Sequence, residues 1–418
     1  MKVLLINTYE AQGGAAIACK RLLGALNKST EVEAKLLVNL RQNNSVNEQV
    51  YEVADTKLKK LIRKYLFYLE KVLFIPYEVS KQERFAFSTA YFGTDISKHA
   101  LVKEADILHI HWTNQSFLSY RNIQQLVNLG KPVFVTMHDM WYFTGGCHHS
   151  RGCMKFTEDC GNCQFLKNAG STDLSYKLLK KKRDTYDSKM TFIACSNWLA
   201  DLAKQSSLLQ RNLVTTIPNP IDTSIFLKKE KSIARKAFNL PENKLLILYA
   251  AARVDDERKG YKYLANALKA ISDSDLEIKK NIEIVVMGNV KNKEDIDFHF
   301  PTHFLGSLSK VNEIVDCYNS ADLFVTPSLE ENLPNTIIES MACGTPAVAF
   351  RIGGIPDIID HKTNGYLANY RDTQDLVNGI EWVLAQKDIA EKCIEKVENA
   401  FSEQVVSRRF IELYQSNF

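Results

Sequence analysis

Two cations near the middle of the chain could bind an anion. Arg253 and Lys259 are six positions apart and flank a short loop after a predicted strand, Leu245–Ala250. From such a loop both can reach one phosphate-sized anion, and Gly260 lets the backbone approach it closely. Two cations suit a diphosphate leaving group, because they neutralise the charge that develops as it departs. The alternative is that they form surface ion pairs with the acidic residues 255–257.

A second polar segment joins a predicted strand to a predicted helix. The strand is Leu323–Thr326, and the helix is expected to begin at about Asn335 and to end before Gly344. A strand end followed by a helix N-terminus is a natural anion seat of an α/β sheet. Glu331 in the loop and Glu339 in the helix can accept hydrogen bonds from sugar and ribose hydroxyls. A glutamate in the first helical turns is also favoured by the helix dipole alone.

Polar residues and glycines also follow strands predicted in the first half. Gly13-Gly14 follows the first strand without the G-x-G-x-x-G pattern, which disfavours a dehydrogenase. His109 and His111 alternate on one strand, and we interpret His109 as a core residue and His111 as a secondary site candidate.

Four of the nine cysteines lie in a glycine-containing loop over residues 145–165: Cys147, Cys153, Cys160 and Cys163. The closing Cys-x2-Cys pair is typical of a zinc knuckle, and four thiolates can complete a closed tetrahedral structural site. The five residues between Cys147 and Cys153 are more than a zinc knuckle has between its cysteines. Zinc binding, disulfides and free thiols therefore all stay possible for this loop. The position of the loop, just after residue 138, suggests that it shapes the acceptor side of a site.

The segment 57–74 departs from the rest of the sequence, because five of its first eight residues are cations and an aromatic apolar stretch follows. It predicts a basic amphipathic helix. The helix either packs its apolar stripe on the first domain or rests on an anionic lipid surface.

The elements that must position these residues alternate between short apolar runs and helical patterns. This alternation predicts an α/β fold of two doubly wound, Rossmann-like domains with parallel sheets. The expected strands are Lys2–Ile6, Ala34–Val38, Ile107–His111, Val133–Met137, Thr191–Cys195, Val214–Ile217, Leu245–Ala250, Glu283–Met287, Leu323–Thr326 and Ala347–Phe350. Two prolines within 217–222 indicate a linker. We therefore predict domains over 1–216 and 217–396, with a C-terminal helix over 397–418 that packs back on the first domain.

Composition excludes several classes of protein. The 418 residues are 45% hydrophobic and 24% charged, as in an ordinary globular chain, and the net charge of +4 does not demand a nucleic-acid partner. The apolar stretch at the start of the sequence is too short for a secretion signal. No apolar run reaches the roughly 18 residues that a membrane span requires. The five scattered cysteines suit a reducing compartment. We expect a cytoplasmic protein, peripheral to the inner face of the membrane if the basic helix binds lipid.

Taken together, these motifs resemble those of glycosyltransferase family four, the retaining, nucleotide-sugar-dependent enzymes of the GT-B type. Glu331 and Glu339 match its E-x7-E element, and Arg253 and Lys259 resemble its R-x5-K pair. The resemblance also covers Gly13-Gly14, the strand end at His138, the linker 217–222 with Phe226, and Phe304–Gly306 with Leu308. It implies two Rossmann-like domains that face a central cleft, the first on the acceptor side and the second binding the donor.

The resemblance also implies roles for single residues. Arg253 and Lys259 would neutralise the diphosphate, Glu339 would hold the ribose, and Glu331 would hold the donor sugar. His138 would lie over that sugar, the Gly13-Gly14 loop would open a helix facing the phosphates, and Gly306 with Leu308 would frame the base. The loop Glu331-Asn332-Leu333-Pro334 departs from the family's usual E-G-F-G, because proline removes one backbone N–H. Asn332 and Leu333 stay candidate donor contacts, and we expect the N–H groups of Asn335 and Thr336 to bind phosphate.

The implied activity is transfer of a sugar from a UDP- or GDP-type donor to a glycan or a lipid-linked oligosaccharide during synthesis of capsule, exopolysaccharide or lipopolysaccharide. With two protein cations at the diphosphate, no catalytic metal is expected. An epimerase or phosphorylase on the same fold is the alternative enzyme class, and a zinc-containing nucleic-acid-binding protein is the non-enzymatic one.

Overall fold

The computed structural model describes residues 1–41, 48–53 and 56–417. The chain forms two compact units, Met1–Pro220 with Val406–Phe418, and Ile221–Val405. The division therefore falls four residues after the predicted boundary, and residues 397–405 of the predicted C-terminal segment belong to the second unit. Backbone hydrogen bonds explain the difference: the N–H of Ile221 donates to the carbonyl of Phe401 (2.9 Å), and the N–H of Glu403 donates to the carbonyl of Ile221 (3.0 Å).

The first unit is a parallel sheet with helices. Its described strands are β1 (Lys2–Tyr9), β2 (Glu33–Leu40), β3 (Val50–Glu52), β4 (Ile107–Ile110), β5 (Val133–Met137), β6 (Thr191–Ala194) and β7 (Leu213–Thr216). Its helices are α1 (Gly14–Asn27), α2 (Lys57–Phe74), α3 (Ala100–Glu104), α4 (Tyr120–Val127), α5 (Leu174–Thr185) and α6 (Asn197–Gln205), with 3-10 turns at Lys81–Phe85, Trp141–Phe143 and Lys155–Thr157. The strand order is β3-β2-β1-β4-β5-β6-β7. The connections thus diverge at β1 and β4, which makes the carboxyl ends of these two strands the topological switch point.

Both faces of this sheet are buried. Val3 and Leu5 of β1 belong to one apolar cluster, and Leu4 and Ile6 belong to another. Successive side chains of a strand point to opposite faces, so a near-continuous apolar run is what a doubly covered parallel strand requires.

The second unit has the same plan. Its described strands are β8 (Leu245–Arg253), β9 (Ile282–Asn289), β10 (Thr302–Gly306), β11 (Leu323–Thr326), β12 (Ala347–Phe350) and β13 (Gly365–Ala368). Its helices are α7 (Lys231–Ala237), α8 (Tyr261–Asp273), α9 (Val311–Ser320), α10 (Asn335–Ala342), α11 (Ile355–Ile358), α12 (Thr373–Leu384) and α13 (Ile389–Ala400), with 3-10 turns at Glu257–Lys259, Glu277–Asn281 and Lys293–Asp295. A last helix, α14 (Glu403–Gln415), runs from the second unit into the first. The parallel order β10-β9-β8-β11-β12-β13 places the switch point between β8 and β11.

Helix α14 begins in the second unit and from Val406 onward belongs to the first. Val406, Phe410, Ile411 and Tyr414 are buried in the same cluster as Val3 and Leu5. The Tyr414 hydroxyl and Nδ1 of His109 are 2.7 Å apart, so the helix adds a polar contact to its apolar packing.

Helix α2 is amphipathic as predicted, and of the two alternatives for its apolar stripe, the one in which the stripe packs on the first domain is wrong. The buried residues of the helix are Arg63, Glu70 and Phe74, whereas most of its large apolar side chains are exposed. The two buried charges have polar partners, which makes this polar face the one that packs on the first unit.

Candidate functional site

The switch point of the second unit brings together the two charged motifs that the sequence singled out. Lys259 lies in the loop after β8, and Glu331 lies in the loop after the neighbouring strand β11. The Lys259 ammonium and Oε1 of Glu331 are 2.5 Å apart. A cation and a carboxylate, 72 positions apart in the chain, therefore meet at the edge where doubly wound sheets bind their ligands.

Arg253, the last residue of β8, has a different partner. Its guanidinium pairs with Asp255 at 3.3 Å, and 62% of its side chain is exposed. The alternative of local ion pairing is therefore what the structure shows for Arg253 in the free protein. An exposed pair of this kind contributes little free energy, so an incoming anion can replace Asp255 at small cost.

Glycines fix the path of the two loops. Gly260 has φ +72°, and a Cβ on it would lie 1.8 Å from the carbonyl oxygen of Pro327. A Cβ on Gly353 would likewise lie 1.8 Å from the carbonyl oxygen of Glu331, and the N–H of Gly354 donates to the carbonyl of Asn332 (2.7 Å). Sequence reasoning missed Gly353 and Gly354, because their role depends on a backbone about 20 residues away that no local pattern predicts.

The remaining donor candidates lie at the carboxyl edge of the same sheet. Glu339 in α10 is buried and accepts a hydrogen bond from the Tyr318 hydroxyl (3.0 Å), a contact that the sequence did not predict. Asn332 and Leu333 are buried in the loop that leads into α10, whereas Asn335 and Thr336 are half-buried at the start of the helix.

Gly306 is the last residue of β10, the outer strand on the other side of β8, and Leu308 follows two residues later. Gly306 has φ +72° with no heavy atom within 4 Å of where a Cβ would be, and Leu308 is half-buried. This leaves open space beside the backbone where the base of a nucleotide is expected.

The switch point of the first unit holds the glycine loop. Gly13 caps the N-terminus of α1 with φ +87°, and α1 begins at Gly14. The end of β1, which leads into this loop, is anchored to the segment after β4, because the N–H of Thr8 donates to the carbonyl of Trp112 (2.9 Å) and the rings of Tyr9 and Trp112 stack.

His138 follows β5 and contacts His111, the residue after β4. Nε2 of His138 and Nδ1 of His111 are 3.0 Å apart, and Nδ1 of His138 is 3.6 Å from the Cys195 sulfur. Burial lowers the pKa of His138 to about 4 and the pKa of His111 well below its ordinary value. Both imidazoles are therefore neutral at pH 7, so His138 can form hydrogen bonds but carries no positive charge.

Asp139 next to His138 is a fixed acceptor. Oδ2 of Asp139 lies 2.7 Å from Nδ1 of His148 and accepts from the Trp112 indole N–H (2.9 Å), and Oδ1 accepts from the backbone N–H of Trp141 (2.8 Å). Burial opposes ionisation, but these partners outweigh it and lower the pKa of Asp139 to about 2. The aspartate thus ties the end of β5 to the start of the cysteine loop.

The four clustered cysteines line one cavity of about 20 Å³ in the first unit, and all are free thiols. Burial raises the pKa of Cys147 to about 12 and the pKa values of Cys160 and Cys163 to about 11. The ammonium of Lys182, a buried residue, donates to the carbonyls of Trp141 and Thr144 near the loop. No three metal-ligating side chains within 1–41, 48–53 and 56–417 are positioned to hold an ion, so zinc binding stays a prediction.

Two family models match the chain. The model described as "Glycosyl transferases group 1" matches residues 230–400, and the model described as "Glycosyltransferase Family 4" matches residues 49–225. Together they span most of both units. The chain belongs to glycosyltransferase family four. The family predicted from the motifs is thereby confirmed.

Relatives of this family-four chain include two bacterial enzymes. An N-acetyl-alpha-D-glucosaminyl L-malate synthase of Bacillus anthracis is 23% identical over 49% of the chain and 52% of its own length. A UDP-Gal:alpha-D-GlcNAc-diphosphoundecaprenol alpha-1,3-galactosyltransferase of Escherichia coli is 23% identical over 54% of the chain and 61% of its own length. The chain thus spans only about half the length of the curated relatives that it matches.

The structure is similar along its whole length to Anabaena HepE, solved in complex with UDP-glucose. The TM-score is 0.62 at 14% identity, with all of both chains covered. This likeness concerns the fold, and it confirms the predicted GT-B architecture of two Rossmann-like units.

Proposed function

We propose that this family-four protein is a retaining glycosyltransferase that moves a sugar from a nucleoside-diphosphate sugar, of UDP or GDP type, to a hydroxyl of a glycan or a lipid-linked oligosaccharide in surface polysaccharide synthesis. The Escherichia coli relative, named for UDP-Gal and a diphosphoundecaprenol acceptor, supports the donor and acceptor classes. Anabaena HepE, which holds UDP-glucose on the same fold, supports the donor class.

One observation carries the proposal: the contact of Lys259 with Glu331 at the β8–β11 switch point. In the free protein the carboxylate neutralises the ammonium. A donor would supply phosphate oxygens for Lys259 and sugar hydroxyls for Glu331, so both groups gain a partner that matches their chemistry. Arg253, at the end of β8 and six positions before Lys259, supplies the second cation.

The reaction breaks the bond between the sugar's anomeric carbon and the phosphate oxygen and forms a bond from that carbon to the acceptor oxygen. Negative charge develops on the departing phosphate, which Arg253 and Lys259 stabilise without a catalytic metal. The departing phosphate oxygen takes the acceptor's proton, and the product leaves with the same anomeric configuration.

The other donor candidates have supporting roles. Glu339, oriented by Tyr318, accepts from the ribose hydroxyls, and the N–H groups of Asn335 and Thr336 bind phosphate. Gly306 and Leu308 frame the base. Because His138 is neutral, it positions a hydroxyl by hydrogen bonding and supplies no positive charge to the reaction.

A donor panel tests the proposal directly. We expect one class among UDP-, GDP- and ADP-sugars to raise the unfolding temperature, since a ligand at 100 times its dissociation constant adds about 2.7 kcal/mol to the free energy of unfolding. With an acceptor, nucleoside diphosphate is released in step with glycoside. Sugar turnover in the presence of an acceptor, without release of nucleoside diphosphate, would instead indicate an epimerase or phosphorylase.

Substitution of the cations tests the site. Arg253→Ala and Lys259→Ala should each lower kcat/KM at least about tenfold, because a charge-assisted contact contributes about 1.5–3 kcal/mol. Lys280→Ala is the matched control, because this exposed lysine pairs with nearby Glu277 and precedes β9, at the opposite edge of the sheet. Equal activity of all three variants would contradict the assignment.

A further inference from the structure

Helix α2 presents an exposed apolar surface to solvent. Seven large apolar side chains of the helix are between 47% and 66% exposed: Leu58, Leu61, Ile62, Tyr65, Tyr68, Val72 and Leu73. At 3.6 residues per turn they fall within an arc of about 140°, on the side of the helix away from Arg63, Glu70 and Phe74. Isolated exposed apolar residues are ordinary, but a continuous stripe of this size marks an interaction surface.

The surface continues past the end of the helix. Ile75, Tyr77, Val79 and Phe85 are between 44% and 61% exposed, and the Lys71 ammonium lies 4.8 Å from the Phe85 ring centroid. Two tyrosines of the helix, Tyr65 and Tyr68, have the amphipathic rings that favour the headgroup level of a bilayer.

The charges of α2 are almost all of one sign. Lys57, Lys59, Lys60 and Lys64 are exposed, and Lys71 is half-buried, whereas the only acid of the helix, Glu70, is buried. Four of the five lysines lie along one flank of the apolar arc when the helix is projected at about 100° per residue. An apolar stripe flanked by lysines is complementary to an anionic lipid surface. A second copy of the helix would bring the same cations against one another, which disfavours self-docking.

Polar contacts on the inner side fix this orientation. The Arg63 guanidinium donates to the backbone carbonyl (3.0 Å) and the side-chain oxygen of Asn39. Glu70 accepts from the hydroxyls of Thr89 and Ser116, each at 2.7 Å. Rolling the helix to bury its apolar arc would break these contacts and leave charges buried without partners, so the apolar arc stays outward.

We propose that α2 and residues 75–85 form a membrane-docking surface that lies flat on an anionic lipid leaflet, with the apolar arc in the interface and the lysines at the phosphates. No helix in the described part of the chain has the length and apolar composition needed to cross a bilayer, and docking requires none. This proposal goes beyond the proposed function and does not depend on it, because lipid binding is measured without donor or acceptor.

Vesicle binding tests it with the full chain. We expect co-sedimentation with vesicles of phosphatidylcholine containing phosphatidylglycerol, weaker binding to phosphatidylcholine alone, and a loss of affinity as salt rises. Leu61→Ser, Tyr65→Ser and Val72→Ser should each lower the partition coefficient about tenfold, since each removes apolar surface from the interface. Lys57→Gln and Lys64→Gln should each lower it about fivefold on anionic vesicles and little on neutral ones.

Two controls separate docking from folding. Ile233→Ser changes a side chain as exposed as Leu58 but in α7 of the second unit, and it should leave vesicle binding unchanged. The α2 variants alter exposed side chains, so their unfolding temperatures should match that of the unmodified protein. Absence of binding to anionic vesicles would overturn the proposal. So would a dimer, seen by sedimentation, that the same three serine substitutions dissociate.

Discussion

His138 is the half-buried end of a row of three imidazoles, of which His109 and His111 are buried. His109 lies between the Tyr414 hydroxyl and Oγ1 of Thr136, each 2.7 Å from one ring nitrogen, and the rings of His109 and His111 are 4.3 Å apart. Burial lowers the pKa of His109 to about 3, as it lowers the pKa of His138. Three adjacent neutral rings can form directional hydrogen bonds without mutual repulsion, which holds His138 in one orientation.

These lowered pKa values predict a pH dependence of stability. Between pH 6.5 and about 4, an unfolded chain binds a proton at residue 138 that the folded chain does not bind, so the free energy of unfolding falls as the pH falls. Each such group contributes a slope of up to about 1.4 kcal/mol per pH unit. Urea unfolding at pH 6 and pH 5 should show a smaller slope for His138→Gln than for the unmodified protein. The exposed control, His299→Gln, should retain the slope, and identical slopes for both variants would count against a neutral His138.

At the scale of elements, the loop 145–165 is held by contacts at both ends. His148 binds Asp139, the N–H of Cys163 donates to Oδ2 of Asp173 (2.9 Å), and Gly161 packs on the backbone of Ser171. Residues 160–162 all have positive φ, including the non-glycine residues Cys160 and Asn162. Such a turn persists because its surroundings determine it, and it brings Cys160 and Cys163 to the same cavity as Cys147 and Cys153.

Zinc binding by this loop is one of the alternatives that the sequence leaves open, and metal analysis tests it. Protein purified from zinc-replete cells should contain about one zinc per chain by mass spectrometry, and Cys163→Ser should lose it. Zinc binds thiolates, so acidification should release the metal in step with protonation. Cys343→Ala, a buried cysteine of the second unit, is the control and should keep full occupancy. Four reactive thiols in metal-free native protein would contradict the prediction.

Elements with strong local patterns could be predicted from the sequence. The strands Val133–Met137, Leu323–Thr326 and Ala347–Phe350 match β5, β11 and β12, because buried parallel strands are unbroken apolar runs. The outer strands β3, β10 and β13 were missed, since short strands at sheet edges need less apolar sequence.

The same distinction applies to the candidate site. The motifs after β8 and β11 are local, so Arg253, Lys259 and Glu331 could be found from spacing alone. The contacts of Tyr318 with Glu339 and of Gly353 with Glu331 join residues about 20 positions apart. The polar inner face of α2 likewise depends on Asn39, Thr89 and Ser116, which no pattern within the helix identifies.

At the scale of the whole molecule, the chain returns to its first unit after completing the second. Phe410 is 2% exposed, and its ring centroid lies 5.4 Å from that of His109. The apolar layer on this face of the first sheet is thus shared between β1, β2, α1 and the end of α14.

Truncation of Phe410 measures how much the packing of α14 on the first unit contributes to the free energy of unfolding. Phe410→Ala should lower the free energy of unfolding by about 3–5 kcal/mol, because a buried ring is replaced by a cavity. Arg408→Ala in the same helix removes only an exposed pair with Glu412 and should change stability by less than about 0.5 kcal/mol. Denaturant titration of both variants checks this, and similar small effects would mean that α14 is not part of the core.

This arrangement bears on how the protein is made. The 185 residues of Ile221–Val405 leave the ribosome between the main part of the first unit and the helix that closes its core. At translation rates of about 5–20 residues per second, one apolar face of the nascent first sheet lacks the cover of α14 for roughly 10–40 s. A chaperone that binds exposed apolar surface can therefore bind this face of the first unit during synthesis, before α14 emerges.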